Sequence, residues 1–339
     1  MNRLNIMLKN FKFLFIILPA MLLASMLASG QDYTYSQFYA NPLYLNPALA
    51  GSEYCPRISL SYRNQWPALP GSFASYGVSF DKYVDFIHGG VGVIVNYDKS
   101  GEAAINKAQI NAMYAYNLII DSKISANFAL QAGYGQRSVN MSDFVFGSQI
   151  DPGTGNVINN SGPFGESSNA VYYADFAGGF LLGFDEKYFF GGAVHHLTQP
   201  NVSFFYGEED LLNMKITVHG GANIDFDNGY RRSATPGFKI SPNVLYQQQG
   251  DFKQLNVGSY FTFASFTAGL WYRYAFENTD AAIVSFGFTK DNLRAGYSFD
   301  YTVSKLTSAT GGAHEISVAW IFDCEKKSRR PKTIICPTF

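Results

Sequence analysis

The sequence predicts an all-β fold: a single transmembrane outer-membrane β-barrel of about 14 antiparallel strands. Three observations lead to this fold class. Charged residues make up 15% of the chain and aromatic residues 17%, whereas soluble domains usually carry about a quarter charged residues. Many segments alternate apolar residues with small or polar ones. Beyond residue 30, no window approaches the roughly 20 apolar residues of a spanning helix, so strands that cross lipid must close into a barrel.

Residues 1–30 have the features of a cleavable secretory signal peptide. A positive n-region, an apolar run and small residues follow one another before Gln31, namely Arg3, Lys9 and Lys12, then Phe13–Leu23, then Ala28–Gly30. The apolar run is short for a spanning helix, which disfavours the alternative of an uncleaved anchor. The mature chain is therefore predicted to begin at Gln31.

Residues 31–56 are predicted to form an irregular arm before the first strand. The motif residues of this arm are Ser36, Gln37, Asn46, Pro47, Ala48 and Gly51. Asn-Pro and Ala-Gly dipeptides mark turns. Because the arm is unusually apolar and aromatic, we expect it to pack inside the barrel and to fill part of the lumen or its periplasmic mouth.

Residues 57–322 are predicted to form the barrel, because fourteen segments there alternate with a period of two. Val91, Val93 and Val95, for example, share one face, opposite Gly92 and Asn96. The segments are Ile58–Arg63, Ser75–Phe80, Val91–Tyr97, Gln109–Tyr116, Asn127–Tyr134, Val171–Leu182, Tyr188–His196, Lys215–Ile224, Phe238–Gln247, Gln254–Phe263, Thr267–Tyr274, Ala281–Phe288, Leu293–Tyr301 and His314–Phe322. A soluble sandwich would also alternate, but its outer face would carry more Lys and Glu. Here the polar stripe is mostly Ser, Asn, Gln and Gly.

Loop lengths predict the orientation of the barrel. Outer-membrane barrels have short periplasmic turns and long external loops. If the first strand starts in the periplasm, the long connections Ser138–Asn169 and Leu197–Asn213 face outside, and Thr289–Asn292 is a periplasmic turn. The stretch Asp225–Thr235 is long for a periplasmic turn and is an exception. An even strand count places the tail, residues 323–339, in the periplasm.

Several polar residues are predicted to form a network that faces the lumen: His195, His196, Asp300, His314, Glu315 and Arg294. Buried charges need partners, so we expect these groups to pair with one another or with an inserted segment. A metal or catalytic role is the alternative for the histidines. Neighbours on a strand face opposite sides, however, so His195 and His196 cannot easily share one metal. No GxSxG or HExxH motif occurs, and no catalytic residue, metal site or cofactor is predicted.

Three cysteines follow the signal peptide, in an export pathway that permits disulfides. The predicted pair is Cys324–Cys336, which would close a small loop in the tail. Cys55 competes as a partner if the first strand closes against the last. The tail is also basic, and it is predicted to dock an acidic periplasmic partner or anionic lipid head groups through Lys326, Lys327, Arg329, Arg330 and Lys332. A plain solvated tail is the alternative.

Short motifs in a fixed order resemble the PorP/SprF family of the Bacteroidetes type IX secretion system. They are Tyr35–Gly51, Ser142–Asp151, Asp175–Gly179, His195–Asn201, Leu270–Arg273, Gly296–Asp300 and Gly311–Ile316. Each motif is weak alone, but their order over the mature chain is specific. The resemblance implies an outer-membrane barrel that works with the secretion apparatus, including its periplasmic ring or lipoprotein components. It also implies pairing with a secreted adhesin or other cargo that carries a type IX C-terminal domain, in some members for gliding motility.

The predicted function is therefore non-catalytic: an accessory or surface anchor of type IX secretion, embedded in outer-membrane lipid. A net charge of -1 gives no sign of nucleic-acid binding. A small-solute porin is the second hypothesis and would be favoured by an open, charged lumen. An outer-membrane hydrolase is the third, and it would need a nucleophile and a base on neighbouring strands.

Overall fold

The computed structural model describes residues 31–69, 71–101, 105–139, 150–157, 168–226, 237–276, 279–303 and 311–324. The predicted signal peptide, most of the predicted tail and much of the first long outer loop lie outside these residues. The chain divides into two compact units, Met1–Asp32 and Tyr33–Phe339. All features below belong to the second unit. No helix in the described ranges is both long enough and apolar enough to cross a membrane.

The described part of the second unit is built of β-strands after a short irregular start. The strands are β1 Arg57–Gln65, β2 Phe73–Val84, β3 Gly89–Ser100, β4 Ile105–Ile119, β5 Ile124–Ser138, β6 Ala170–Phe184, β7 Tyr188–His195, β8 Lys215–Ala222, β9 Ile224–Phe226, β10 Phe238–Gln249, β11 Phe252–Phe263, β12 Phe266–Ala275, β13 Thr279–Lys290, β14 Leu293–Thr302 and β15 Ala313–Ile321. Each of the fourteen predicted segments coincides with a strand, and the predicted all-β class is confirmed.

The sheet closes on itself. Neighbours along the chain pair antiparallel, β10 pairs with β11, and β1 pairs with β15 from Arg57↔Ile321 to Gln65↔Ala313. Strands β8 and β9 both pair with β10 and are two parts of one interrupted strand. The interruption lies beside Pro242, which has no N–H to donate to a neighbouring strand. The result is the predicted closed 14-strand barrel.

The two faces of the barrel wall differ in polarity. One face is buried and carries small or polar side chains such as Ser59, Asn111 and Gln131. The other is exposed and apolar, with Leu130 75% and Phe286 60% exposed. Since the sheet is closed, the buried face is the interior. Lipid can solvate an apolar exterior, whereas water cannot do so favourably.

The two longest connections lie at one rim, which also has a short turn at residues 250–251, and most turns at the opposite rim are short. At the terminal rim, where β1 begins and β15 ends, the turns at residues 185–187, 264–265 and 291–292 are short. At the opposite rim, the loop rim, residues 139–169 and 196–214 form long connections. This is the predicted asymmetry of an outer-membrane barrel. The terminal-rim connection between β9 and β10 is long, as expected from the sequence.

The terminal rim also holds a disulfide, between Cys55 and Cys324, with Cα atoms 5.6 Å apart. The predicted Cys324–Cys336 pair is therefore wrong. The physical reason is the closure of the barrel. Because Arg57 is paired with Ile321, the residues just before β1 and just after β15 are brought together. Cys336 lies outside the described residues.

Residues 33–56, the arm, contain three short helical turns: Phe38–Ala40, Pro42–Leu45 and Pro47–Leu49. Pro begins two of these turns because its fixed φ suits the first helical position. Asn46 caps the last turn by accepting a hydrogen bond from the Ala48 N–H at 2.9 Å. Most of the arm from Tyr35 to Gly51 is buried, so apolar residues such as Leu43 and Leu49 belong to the core.

Candidate functional site

Ser36 of the arm is the centre of a buried polar cluster in the half of the barrel near the loop rim. Its hydroxyl donates to Asp300 Oδ2 at 2.6 Å. The Ser36 hydroxyl oxygen also accepts hydrogen bonds from Arg63 Nη1 at 2.6 Å and from Arg273 Nη2 at 2.7 Å. One small arm side chain thereby joins strands β1, β12 and β14, which are far apart in sequence.

Glu315 of β15 holds the backbone of the arm. One carboxylate oxygen accepts from the Ser36 N–H at 2.6 Å, and the other accepts from the Gln37 N–H at 3.1 Å. The Asn41 side chain donates to the same carboxylate at 3.4 Å. Gln37 is also fixed through its side chain, which donates to the Glu315 carbonyl at 2.9 Å and accepts from Ser317 at 2.6 Å. The arm is thus held by specific hydrogen bonds and not by apolar packing alone.

The charges of this cluster balance. Arg63 lies 2.9 Å from Asp300 and 3.3 Å from Glu315, and Arg273 lies 3.1 Å from Asp300. Each of these four side chains is at most 5% exposed. Two guanidinium groups face two carboxylates, so the set is formally neutral. A buried charge without its partner is costly, and therefore the four residues depend on one another.

The middle of the arm is seated on strands β5 to β8. The Asn46 amide donates to the Gly192 carbonyl at 3.2 Å and lies 3.2 Å from His219 Nε2. Asn127 donates to the Ala48 carbonyl at 3.0 Å. A Cβ on Gly179 would stand 2.3 Å from the Asn46 oxygen. The wall needs a glycine there because the arm approaches its backbone closely.

The last part of the arm is fastened at the terminal rim. The Gly51 N–H donates to Asp81 at 2.9 Å, and Asp81 also pairs with Arg57 at 2.9 Å. Glu53 pairs with Arg294 at 2.6 Å. Burial raises the pKa of the Glu53 carboxyl, but Arg294 and Arg57 together outweigh burial and bring this pKa below its usual value.

The two neighbouring histidines lie at the loop-rim end of β7, and both are buried. His196 adopts a left-handed conformation, with φ of 58°, so the strand alternation ends there and both rings can turn inward. Its Nδ1 lies 2.8 Å from Asp175, which also accepts from Gln109 at 2.9 Å. Within the described ranges, no group of three His, Cys, Asp or Glu side chains is arranged to hold a metal ion.

The predicted polar network is only partly brought together. Asp300 and Glu315 lie in the Ser36 cluster, whereas Arg294 faces the interior near the other rim and binds Glu53 instead. The prediction for His314 is wrong. As the neighbour of inward-facing Glu315 it points outward, where it meets the Tyr297 hydroxyl at 2.8 Å.

The two arginines of the cluster and the arm contacts in the middle of the wall were not predicted from the sequence. Arg63 lies on the same face of β1 as the buried Ser59 and Ser61, so the period of two could have indicated that it points inward. Arg273 and His219 carry a similar signal on β12 and β8. Nothing in the local sequence indicated which arm residue each would meet.

Residues 27–320 match the family described as type IX secretion system membrane protein PorP/SprF. The chain belongs to this PorP/SprF family. Family and fold together place it in the outer membrane, as a component that interacts with the type IX secretion machinery. No curated protein is significantly similar to the chain.

Solved outer-membrane barrels resemble this PorP/SprF chain distantly. The Ralstonia pickettii toluene transporter TbuX aligns with a TM-score of 0.47 and 10% identity, over 83% of this chain and 93% of that one. The Acinetobacter baumannii outer membrane protein Omp33 aligns with a TM-score of 0.43 and 9% identity, over 80% and 100%. With TM-scores below 0.5, no functional conclusion rests on these two proteins.

Several motifs through which the sequence resembles PorP/SprF proteins contribute residues that contact the arm. Gly179 comes from one motif and Arg273 from another. Asp300 and Glu315 come from two more, and the arm is itself the longest motif. Segments that are scattered along the sequence therefore meet at the seat of the arm, which makes the arm and its seat the candidate functional site. The motif Ser142–Asp151 lies largely outside the described residues.

At the loop rim, part of the second long loop forms a pinned hairpin. Its stem is joined by an Asn201↔Leu211 bridge. Arg137, at the end of β5, pairs with Asp210 at 2.7 Å and lies over the Phe204 ring at 5.1 Å. The hairpin tip is exposed, with Tyr206 71% exposed. This loop therefore presents an ordered surface at the loop rim.

Proposed function

We propose that this PorP/SprF chain is a non-catalytic accessory or anchor barrel of type IX secretion, with its lumen filled by the arm. In this proposal it holds, or helps to deliver, an adhesin or other cargo that carries a type IX C-terminal domain, for surface display or gliding. The observation that carries the proposal is the contact of one arm with interior-facing groups on opposite sides of the wall, from Asp300 and Glu315 to Asn127.

If the arm fills the lumen, as proposed here, the porin alternative is disfavoured. A conducting pore needs continuous water, but the arm contacts strands β1, β2, β5, β8, β12, β14 and β15. The cavity between Tyr39 of the arm and Arg57 and Arg294 of the wall has about 20 Å³, room for roughly one water. These contacts support the anchor hypothesis over the porin.

The hydrolase alternative also has little support at this site. The Ser36 hydroxyl donates a hydrogen bond to the Asp300 carboxylate, an arrangement that resembles a nucleophile paired with a base. Ser36 is only 2% exposed, however, and two guanidinium groups donate to its oxygen. Its lone pairs are occupied and a substrate has no access, so we assign it a role in fixing the arm.

The two rims would bind different partners. The loop rim, with the hairpin pinned by Arg137 and Asp210, would face the cargo outside the cell. The basic tail would face secretion components or lipid head groups in the periplasm, as predicted from sequence. Within the mature chain, residues 31–56 would act as the plug, residues 57–322 as the barrel and residues 323–339 as the docking tail.

Affinity purification of the tagged protein from detergent-extracted outer membranes, followed by mass spectrometry, tests this proposal. We expect recovery of a large surface protein with a type IX C-terminal domain or of secretion-ring subunits. Deleting the gene should remove that surface protein while other type IX cargo still exits. A solitary barrel that conducts ions in planar bilayers would overturn the proposal and favour the porin.

A variant pair can locate the cargo-binding rim. Arg137→Ala removes the ion pair that pins the hairpin at the loop rim, and we expect it to recover less cargo. Lys187→Ala removes a longer and more exposed ion pair, with Asp185 at 3.6 Å, at the terminal rim, and it should recover as much cargo as the parent. Equal recovery by the two variants would argue against the hairpin as the docking surface.

A further inference from the structure

The beginning of the arm lies near the loop rim. Tyr33 stacks on Tyr44 with ring centroids 5.0 Å apart. The ammonium of Lys215 lies 4.5 Å from the centre of the Tyr44 ring and 3.2 Å from its hydroxyl oxygen. Lys215 is the first residue of β8, directly after the long loop-rim connection. This aromatic and cationic contact therefore fixes the start of the arm at the loop-rim end of the wall.

The contacts of Ser36 give the same position independently. Arg63 lies two residues before the end of β1, and Asp300 lies two residues before the end of β14. Both strands end at the loop rim. Glu315 is the third residue of β15, which starts there. Three wall residues on three strands thus place Ser36 in the same half of the barrel.

The end of the arm lies at the opposite rim. Gly51 binds Asp81, which shares the terminal-rim end of the wall with Arg57. Four residues after Gly51, Cys55 is bonded to Cys324. Arg57 and Arg63, which mark the two ends of the arm, are six residues apart on β1, or about 20 Å at the usual rise per strand residue.

From this direction we infer that the mature chain threads its own barrel outward, so that its N-terminal end faces the cell exterior. The arm runs antiparallel to β1 and reverses at the disulfide. The arm accordingly starts, at Tyr33, at the outer mouth beside Lys215 and the loops, on the side that extracellular proteins reach and periplasmic secretion components do not. This inference does not depend on the identity of the cargo.

The arm also contacts both strands of the seam at which the barrel closes. This seam is the pair β1–β15, which carries Arg63 on one strand and Glu315 on the other. Both residues bind Ser36, so the seam and the docked arm stabilise each other. The Cys55–Cys324 disulfide then joins the two seam strands covalently.

Cysteine accessibility in intact cells tests the inference. Three variants are made in a Cys336→Ser background: Gln31→Cys at the predicted mature N-terminus, Gly207→Cys in the loop-rim hairpin and Asp291→Cys in a terminal-rim turn. A membrane-impermeant maleimide is applied before and after the outer membrane is permeabilised. We expect Gln31→Cys and Gly207→Cys to be labelled in intact cells, and Asp291→Cys only after permeabilisation.

Labelling of Gln31→Cys that requires permeabilisation, as for Asp291→Cys, would overturn the inference. Labelling of Asp291→Cys but not Gly207→Cys in intact cells would overturn it too, because the barrel would then have the opposite orientation. A second variant provides an independent readout in case the cysteine of Gln31→Cys is shielded from the maleimide. It carries a peptide epitope between Gly30 and Gln31, and antibody binding to intact cells is expected. Binding only after permeabilisation would again contradict outward threading.

Discussion

Replacing Glu315 by Gln should release the arm without changing the shape of the site. The carboxylate accepts from the N–H groups of Ser36 and Gln37 and balances Arg63 at 3.3 Å. A Gln side chain has only one oxygen, so its NH₂ group would face one of the two N–H donors. The substitution would also leave two guanidinium groups with one carboxylate.

The expected cost follows from these contacts. Breaking a buried ion pair by removing one partner costs about 3–5 kcal/mol, and a hydrogen bond to a charged group contributes about 1.5–3 kcal/mol. Part of this free energy belongs to the barrel wall and not to docking of the arm, because Arg63 and Glu315 are both wall residues. After the substitution, Arg63 keeps its ion pair with Asp300. A loss of about 3 kcal/mol in docking of the arm would raise the undocked fraction by roughly 100-fold.

Two assays check this prediction for Glu315→Gln. Planar-bilayer recordings should show open events that the parent protein lacks or shows far less often, and the midpoint of urea unfolding should fall. The matched control is Ile316→Ala, whose side chain is the next along β15 and lies on the exposed outer face. It should leave conductance unchanged. If Glu315→Gln resembles the parent in both assays, the cluster does not hold the arm.

Three further predictions concern other fastenings of the arm and the seam. Gly179→Ala should displace the arm and lower the unfolding midpoint, because the added Cβ would stand 2.3 Å from the Asn46 oxygen. Gly178→Ala should be tolerated, because the nearest atom to its Cβ would lie 3.6 Å away. Equal unfolding midpoints for the two variants would refute the close packing of the arm on Gly179. Cys55→Ser should lower the free energy of unfolding by about 5.6 kcal/mol in the chain-entropy model for a separation of 269 residues. An unfolding midpoint of the parent protein that does not change on reduction would contradict this. The pKa of Glu53 is lowered in the folded barrel, so its pairing with Arg294 should stabilise the protein above the ordinary Glu pKa and be lost as the pH falls through the lowered value. Unfolding midpoints of the parent and Glu53→Gln should therefore differ near neutral pH and converge in acid, and a constant difference across this range would count against the pairing.

The sequence by itself determined the fold class and the strand positions. Side chains alternate across any β-strand, so a run such as Val91–Tyr97 shows its two faces without knowledge of its neighbours. An inner stripe of mostly small and polar residues, together with an apolar outer one, then indicates lipid outside. The ordered motifs, including Tyr35–Gly51 and Asp175–Gly179, were sufficient to identify the PorP/SprF family, which the match over residues 27–320 confirms.

Only the tertiary structure decided which residues meet. The choice of Cys55 over Cys336 as the partner of Cys324 depends on closure between the first and last strands. His314 and Glu315 are both predicted to face the interior, but adjacent residues on a strand face opposite sides, and the tertiary structure turns Glu315 inward. The basic partners Arg63 and Arg273 were missed because their acids lie on other strands.

The direction of the arm was equally beyond sequence reasoning. Composition predicted that the arm packs inside, but not that Ser36 lies near the loop rim while Gly51 lies at the terminal rim. The physical reason is the range of the interactions involved. Periodicity is a property of a few consecutive residues, whereas the bonds from Ser36 to Asp300 and Glu315 join groups 264 and 279 residues apart. Such pairs are selected by the closure and register of the whole barrel, which no local segment encodes.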